Sequence, residues 1–451
     1  MLRLISSLGL FFLNLIVVVK ISAQTPFNVQ IANPPQAGIQ IILESFHEDG
    51  WKNVANLKPQ PGNKYSTAIR FERTGQYRMR LSSDPKKWAD FIVVIEKIPV
   101  EGFQLDLNYA DFVGKPIKLN GSAEDEAYSM ISSLFNEVTL NPDSLKREGG
   151  ELTSKEMHLT SRCQQVVKTY PGTFTAEVLC EILPLPLPPS KLPEDSVYHY
   201  QYLHAFDRWQ LNRMEVMNHI GMIRRLNIGF NYYLEHGLEE NYIDALMKKA
   251  LVSDEMTAWM FKFLLEKMID YKNEEALSYL ITWYSNDCTE GEHLENSTRN
   301  LLAALEKCKP GNTIEYLNLP NLSGTKISSE KVIGENKLTI IMFWKGTCSH
   351  CREFYPELRK IYDKYKSQGV TIYGVGTDKD QADWRAQAAS NNSPWPDVYL
   401  TYENRNEFSK RFPVSGTPTF MAVDRNGKIL RRMMMRSKLD EEISKLLSEL
   451  K

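Results

Sequence analysis

The chain has 451 residues, 42% of them apolar and 24% charged, with six cysteines and a formal net charge of −2. That length exceeds what one hydrophobic core organises and predicts about three folding units, while the apolar content excludes wholesale disorder. The near-neutral balance excludes the concentrated basic face that nucleic-acid binding needs.

Residues 1–23 come first. "MLRLISSLGLFFLNLIVVVKISAQ" places Arg3 ahead of an apolar stretch from Leu8 to Val19, closed by Lys20, with the small Ala23 before Gln24. This is the layout of a cleavable secretory signal, and the stretch is short for a membrane span. No later segment has the length and apolarity to cross a bilayer. Export to the periplasm or cell envelope then makes a disulfide possible for each of Cys163, Cys180, Cys288, Cys308, Cys348 and Cys351.

Residues 24–121 read as a small antiparallel β-sandwich with an accessory role. "GIQIILES", "KYSTAIRFER", "GQYRMRLSS" and "ADFIVVIE" are β-rich runs between Gly, Pro, Asn and Asp clusters. In "QYRMRL" the apolar Tyr77, Met79 and Leu81 alternate with Arg78 and Arg80, which predicts one wet face.

Residues 122–310 change to a helical period. In "SDEMTAWMFKFLLEKMIDYK" the apolar Met256, Trp259, Met260, Phe263, Leu264 and Met268 recur at three- and four-residue steps, with Ser253 placed to cap. "TSRCQQVVKTY", "NEEALSYLITWYS" and "STRNLLAALEKC" carry similar patterns, so the region is expected to be all-α. "LPLPLPPSKLP" (183–193) interrupts it as an extended connector laid on an apolar surface. Cys163 with Cys180, and Cys288 with Cys308, are each close enough in sequence for a bridge or for two buried thiols.

Residues 311–451 alternate strands and helices in a single α/β domain. "LTIIMFW" (338–344) predicts a buried strand, and "HCREFYPELRKIYDKYKSQG" a helix ended at Gly369. "VTIYGVGTD" and "VYLTY" predict further strands on either side of the helix "KDQADWRAQAAS". "TFMAVDRNGKILRR" predicts a hairpin turning at Asn426-Gly427, and "SKLDEEISKLLSEL" a closing helix.

The chemistry lies in "FWKGTCSHC" (343–351), where a CxxC pair sits between that first strand and its helix. Such a pair can bind metal, staple a fold or exchange disulfides. Zinc needs four ligands, and neither a second CxxC nor a closely spaced histidine pair exists to complete them. A bridge across so short a loop removes little unfolded-chain entropy. Exchange fits the location, because unsatisfied N–H groups at a helix N-terminus favour thiolate over thiol. Cys348 is then the exposed nucleophile and Cys351, one turn into the helix, the resolving cysteine. His350 lies between them and, when protonated, would favour the thiolate further.

These residues resemble the thioredoxin superfamily, and more closely the exported TlpA/ResA-like thiol–disulfide oxidoreductases. The resemblance covers 311–451 and rests on "FWKGTCSHC" after a strand, Pro356 beyond the second cysteine, and "VSGTPTF" (414–420) before the last hairpin. It implies that Pro418 is a cis-proline facing the active site, that Thr417 offers backbone hydrogen bonds to an incoming chain, and that Trp344 is the aromatic residue of the family motif. Trp344, Thr347 and Ser349 then lie on the substrate side, the last two flanking the nucleophile, with Thr347 where the family often has tryptophan. Met342 replaces a buried aspartate and Phe354 the family's glutamate, with Glu353 one position early as the nearest substitute. The implied partners are cysteine-containing envelope proteins and a thiol/disulfide electron partner; no cofactor, metal or nucleic acid is implied. The order of a β-rich domain, a helical domain and a thioredoxin-like domain resembles multi-domain bacterial envelope thioredoxins, with the helical part presenting substrate to the redox site or shielding it. The direction of transfer is left open. Two further readings compete: an envelope scaffold in which the redox domain is secondary, and a peroxiredoxin-like peroxidase. The peroxidase reading is weakened because Thr347 adjoins Cys348 instead of preceding it as in TxxC.

Overall fold

The computed structural model describes residues 24–33, 39–47, 50–119, 121–139, 149–189, 191–287 and 294–450. The expected export signal, 1–23, and Cys288 lie outside the described residues. Contacts divide the chain into two compact units, Met1–Met256 and Thr257–Lys451. The helices after Met256 therefore group with residues 311–451 and not with the helices before them.

The first unit begins with strands β1 (Thr25–Ala32), β2 (Ile41–His47), β3 (Gly50–Leu57), β4 (Lys64–Ile69), β5 (Gly75–Leu81), β6 (Asp84–Val93), β7 (Phe103–Asn108) and β8 (Lys115–Pro116). They form a sheet ordered β4-β1-β7 and a second ordered β3-β2-β5-β6-β8. One apolar core joins the inner faces, with Phe27, Val29 and Leu105 from the first sheet and Leu43, Met79 and Phe91 from the second. The sandwich is not wholly antiparallel as the short runs suggested, since β1 pairs β7 in parallel and β6 pairs β8 in parallel. Only a tight hairpin forces antiparallel pairing, and β1 and β7 are joined through β2 to β6. Tyr77, Met79 and Leu81 face the core, as their alternation requires. On the opposite face Arg78 and Arg80 are held by Glu44 at 2.7 and 3.1 Å, so that face is an ion-paired surface more than a wet one.

Helices α1 (Ala123–Thr139), α2 (Gly149–Thr169), α3 (Glu194–Leu203), α4 (Ile220–Glu235) and α5 (Glu239–Ala250) complete this unit. Between α2 and α3 the proline-rich connector buries Leu183 and Leu185 and exposes Leu187. Cys163 on α2 and Cys180 are buried free thiols, hydrogen-bonded to each other.

Helices α6 (Asp254–Asp270), α7 (Glu274–Asp287) and α8 (Asn296–Lys307) follow. The Ser253 hydroxyl caps α6 by accepting from Met256 N–H at 3.1 Å. The buried stripe of α6 is Met256, Met260, Phe261, Leu264, Leu265, Met268 and Ile269. Trp259 and Phe263, expected within the core, are only half-buried and stack on each other at 5.5 Å. The 100° step per residue turns these two rings toward the helix flank.

The remainder of the second unit comprises the hairpin β9 (Asn318–Pro320)/β10 (Lys326–Ser328), α9 (Ser329–Gly334), β11 (Leu338–Trp344), α10 (Ser349–Tyr365), β12 (Val370–Gly376), α11 (Gln381–Asn391), β13 (Asp397–Tyr399), α12 (Arg405–Ser409), β14 (Thr419–Asp424), β15 (Ile429–Met434) and α13 (Leu439–Glu449). Its main sheet is ordered β13-β12-β11-β14-β15, with β11 parallel to β12 and antiparallel to β14. Both faces of β11 are covered, which is why "LTIIMFW" carries no polar alternation. Leu338, Ile340 and Met342 pack with α10 and α13, while Ile341 and Phe343 pack with Val332, Phe408 and Phe412. Residues 425–428 connect β14 to β15, and Gly427 there takes φ +78, a conformation that only glycine adopts at little cost. Arg432 of β15 is nearly buried and binds Glu274 of α7 at 2.7 Å and the Leu305 carbonyl of α8 at 2.7 Å, fastening both helices to the sheet. Cys308 is buried and its thiol donates to the Arg411 carbonyl at 3.1 Å.

Candidate active site

Strand β11 ends at Trp344, and four residues later Cys348 occupies the N-cap of α10. The connecting loop is pinned from two sides. The buried Asp378 carboxylate, at the end of β12, accepts from Gly346 N–H (2.7 Å), Thr347 N–H (3.1 Å) and the Thr347 hydroxyl (3.0 Å). Arg352 of α10 donates to the Gly346 carbonyl at 2.7 Å. Position 346 tolerates only glycine, because a β-carbon there would lie 2.5 Å from the Asp383 carbonyl oxygen. Asp378→Ala leaves the buried Gly346 N–H and the part-buried Thr347 N–H without an acceptor, at a cost of about 2–3 kcal/mol in urea unfolding. Asp378→Asn keeps one acceptor oxygen and loses less; equal stability of the two variants would contradict this assignment.

The Cys348 sulfur is half-buried and accepts from Cys351 N–H at 3.3 Å, while its own thiol donates to the Thr417 carbonyl at 3.2 Å. The Thr417–Pro418 peptide is cis and lies against this sulfur. Burial by itself would push Cys348 up, but hydrogen bonds from the Cys351 thiol, the Thr417 hydroxyl and the N–H groups of Cys351 and His350 outweigh it and hold the thiol below its usual range. Cys351 is 1% exposed. Its burial, reinforced by donation to Cys348, pushes it up to about 12. Two thiols one helical turn apart are thus held on opposite sides of ordinary cysteine behaviour.

The other residues of the site divide by what they touch. Thr347 and Ser349 are exposed beside Cys348. His350 contributes its backbone N–H to the sulfur, whereas its exposed ring faces Glu353 with Nδ1 3.8 Å from Oε2. Glu353 is correspondingly exposed and not a buried acid beside Cys351. Trp344, expected on the substrate side, is 1% exposed, so it offers no surface to a substrate. Its indole N–H instead donates to Asp397 Oδ1 at 3.0 Å.

Asp397 was not singled out by the sequence, and the only sign of it there is one carboxylate in the apolar "PWPDVYL". Its second oxygen accepts from the Ser393 hydroxyl at 3.1 Å, and Ser393 is hydrogen-bonded to Tyr355 of α10, four residues beyond Cys351. Burial, only partly opposed by hydrogen bonds from Trp344 and Ser393, pushes this carboxyl up to about 7. On the other flank the α6–α7 corner touches the Pro418 loop: the Ser415 hydroxyl donates to Asp270 at 3.0 Å, and Lys272 Nζ donates to Thr419 Oγ1 at 3.4 Å. Among the described residues no group of three or more His, Cys, Asp or Glu side chains is placed to hold a metal, and no helix is long and apolar enough to cross a membrane.

Comparison with known proteins bears on the same part of the chain. A family model described as Thioredoxin-like matches residues 336–429. The thiol-disulfide oxidoreductase ResA of Bacillus thuringiensis is 23% identical over 144 residues, covering 31% of this chain and 80% of that protein. The thiol-disulfide oxidoreductase YkuV of Bacillus subtilis is 26% identical over 121 residues, covering 25% of this chain and 79% of its own. The solved thioredoxin domain of a thiol-disulfide oxidoreductase from Bacteroides vulgatus is 29% identical, spans 31% of this chain and 97% of that one, and has a TM-score of 0.29. With a CxxC pair at the strand–helix junction and a cis-proline against it, residues 336–429 form a thioredoxin-like domain similar to the thiol–disulfide oxidoreductases ResA and YkuV, and the chain is a thiol–disulfide oxidoreductase.

Proposed function

We propose that the protein is exported to the cell envelope by residues 1–23 and exchanges disulfides there with cysteine-containing proteins, in a chain ordered as β-sandwich, helical domain and thioredoxin-like domain. The Cys348 thiolate attacks one sulfur of a substrate disulfide; that S–S bond breaks, a Cys348–substrate bond forms, and the other substrate sulfur leaves as thiolate. Cys351 then loses its proton and attacks Cys348, releasing the second substrate thiolate, so that the substrate gains two electrons and the protein holds the Cys348–Cys351 disulfide. A thiol/disulfide partner returns the electrons, or runs the sequence backwards. Thr417 and Pro418 border the path of the incoming chain, and Thr347, Ser349 and His350 form the exposed rim.

The observation that carries this reading is the opposed behaviour of the two thiols, Cys348 held down by hydrogen bonds and Cys351 raised by burial. Equilibration of the pair against glutathione or dithiothreitol buffers tests it, with Cys348→Ser as control. A two-electron couple between about −270 and −120 mV is expected, and its position in that range gives the direction. A pair that cannot be cycled would leave the scaffold reading in its place.

A further inference from the structure

Beside the Pro418 loop lies an open cleft of about 650 Å³, between α6 and α8 on one wall and residues 408–415 on the other. That volume is in the usual range for a ligand site. Leu301, Phe412 and Val414 supply apolar lining, and among the described residues that line it the charged ones are the exposed carboxylates Glu266 and Asp270 of α6. One wall of the cleft leads along the chain to the redox site. Ser415 lies in its wall, and two residues on, the Thr417 carbonyl meets the Cys348 sulfur at 3.2 Å. Two Cα steps span at most about 7.6 Å, so the cleft begins on the order of 10 Å from the nucleophile.

We propose that this cleft holds the stretch of substrate polypeptide that flanks the reacting cysteine and selects basic side chains in it. The inference rests on the disulfide-exchange reading above. A cysteine bound to Cys348 fixes the position of its own neighbours, and an extended chain advances about 3.4 Å per residue, which carries a side chain three or four positions away into the cleft. The apolar lining takes the aliphatic stem of lysine or arginine while the two carboxylates face its charge. An acidic segment meets repulsion at the same place.

The test uses the full, pre-reduced chain with two synthetic peptide disulfides that differ only in carrying Lys or Glu at positions three and four from the cysteine, and bis(2-hydroxyethyl) disulfide as a small neutral probe. The Lys peptide is expected to react about tenfold faster than the Glu peptide at low salt, the ratio closing to within about twofold in 0.5 M salt. Glu266→Lys combined with Asp270→Asn should close it equally; asparagine keeps the oxygen that Ser415 uses. Because the ratio is read on one protein sample, a change in overall reactivity divides out. Equal rates on the unaltered chain, or a preference that survives the charge reversal, would overturn the proposal. Failure of all three disulfides to react is the failure of the exchange reading. In that event fluorescence anisotropy of the same peptides with serine for cysteine still reads the cleft: tighter binding of the Lys peptide, lost when Leu301→Trp fills the floor, supports it, and equal binding overturns it.

Discussion

Serine at Cys348 is expected to slow disulfide exchange at pH 7 by about a hundredfold or more, whereas serine at Cys351 should let the first attack proceed and stop there as a mixed disulfide. The magnitude follows from the two thiols. With Cys348 replaced the remaining thiol is Cys351, which burial holds above the ordinary cysteine range, so few molecules carry its thiolate at pH 7. The greater nucleophilicity of a more basic thiolate offsets only about half of that deficit at a Brønsted slope near 0.45. The 1% exposure of Cys351 adds to it, because a disulfide cannot reach its sulfur without displacing α10 or the Pro418 loop. Cys351→Ser leaves Cys348 with its hydrogen bonds from Thr417 and from the N–H groups of residues 350 and 351, so the nucleophile persists without a resolving thiol. Intact mass under non-reducing conditions should then show one substrate sulfur on the Cys351→Ser protein and none on Cys348→Ser. Equal trapping by both variants would refute the assignment of roles.

Asp397→Asn should flatten the dependence of stability on pH. The folded carboxyl titrates near 7, above its unfolded value near 3.9, so between those values the folded chain holds a proton that the unfolded chain has lost. Stability from this group is therefore greatest at low pH and falls as pH rises toward 7, by at most about 1.4 kcal/mol per unit. Asp397 is not fully shielded, and solvent at its edge reduces this to an expected fall of about 1–2 kcal/mol between pH 5.5 and 7.5. Asparagine cannot ionise yet keeps an oxygen for the Trp344 N–H, so the variant should equal the parent only below the unfolded value near 3.9, exceed it already at pH 5.5, and exceed it by a further amount of about 1–2 kcal/mol at pH 7.5. Urea midpoints across that range measure the difference, and parallel curves for the two proteins would show that the Asp397 carboxyl is not raised in the folded state. The cause of the shift is local: Trp344 and Ser393 donate one hydrogen bond each, too little to offset the loss of water.

The C-terminal elements were legible because their patterns are local. "LTIIMFW" has a single polar residue, the buried Thr339, and is covered on both faces; "HCREFYPELRKIYDKY" has helical periodicity and becomes α10. The parallel pairing of β1 with β7 was not legible, since the partners, such as Phe27 and Phe103, stand 76 residues apart and nothing near either fixes its orientation. The Trp344 side chain shows the same limit within the site. Its place in the motif was readable, but whether its ring turned to solvent or inward depended on Asp397, 53 residues away.

The sequence by itself determined that Cys348 caps a helix with Cys351 one turn inside it, because a strand, a tight loop and an amphipathic helix are set by neighbouring residues. It also determined the neighbourhood of Pro418, through "SGTPTF" before a hairpin. Tertiary structure alone decided what surrounds those sulfurs: Thr417 from a segment 69 residues on, Asp378 beneath the loop at residues 346–347, and the α6–α7 corner beside Ser415 and Thr419. The reason is that thiol ionisation depends on burial and on hydrogen bonds converging from separate segments, and those are fixed only when the chain packs.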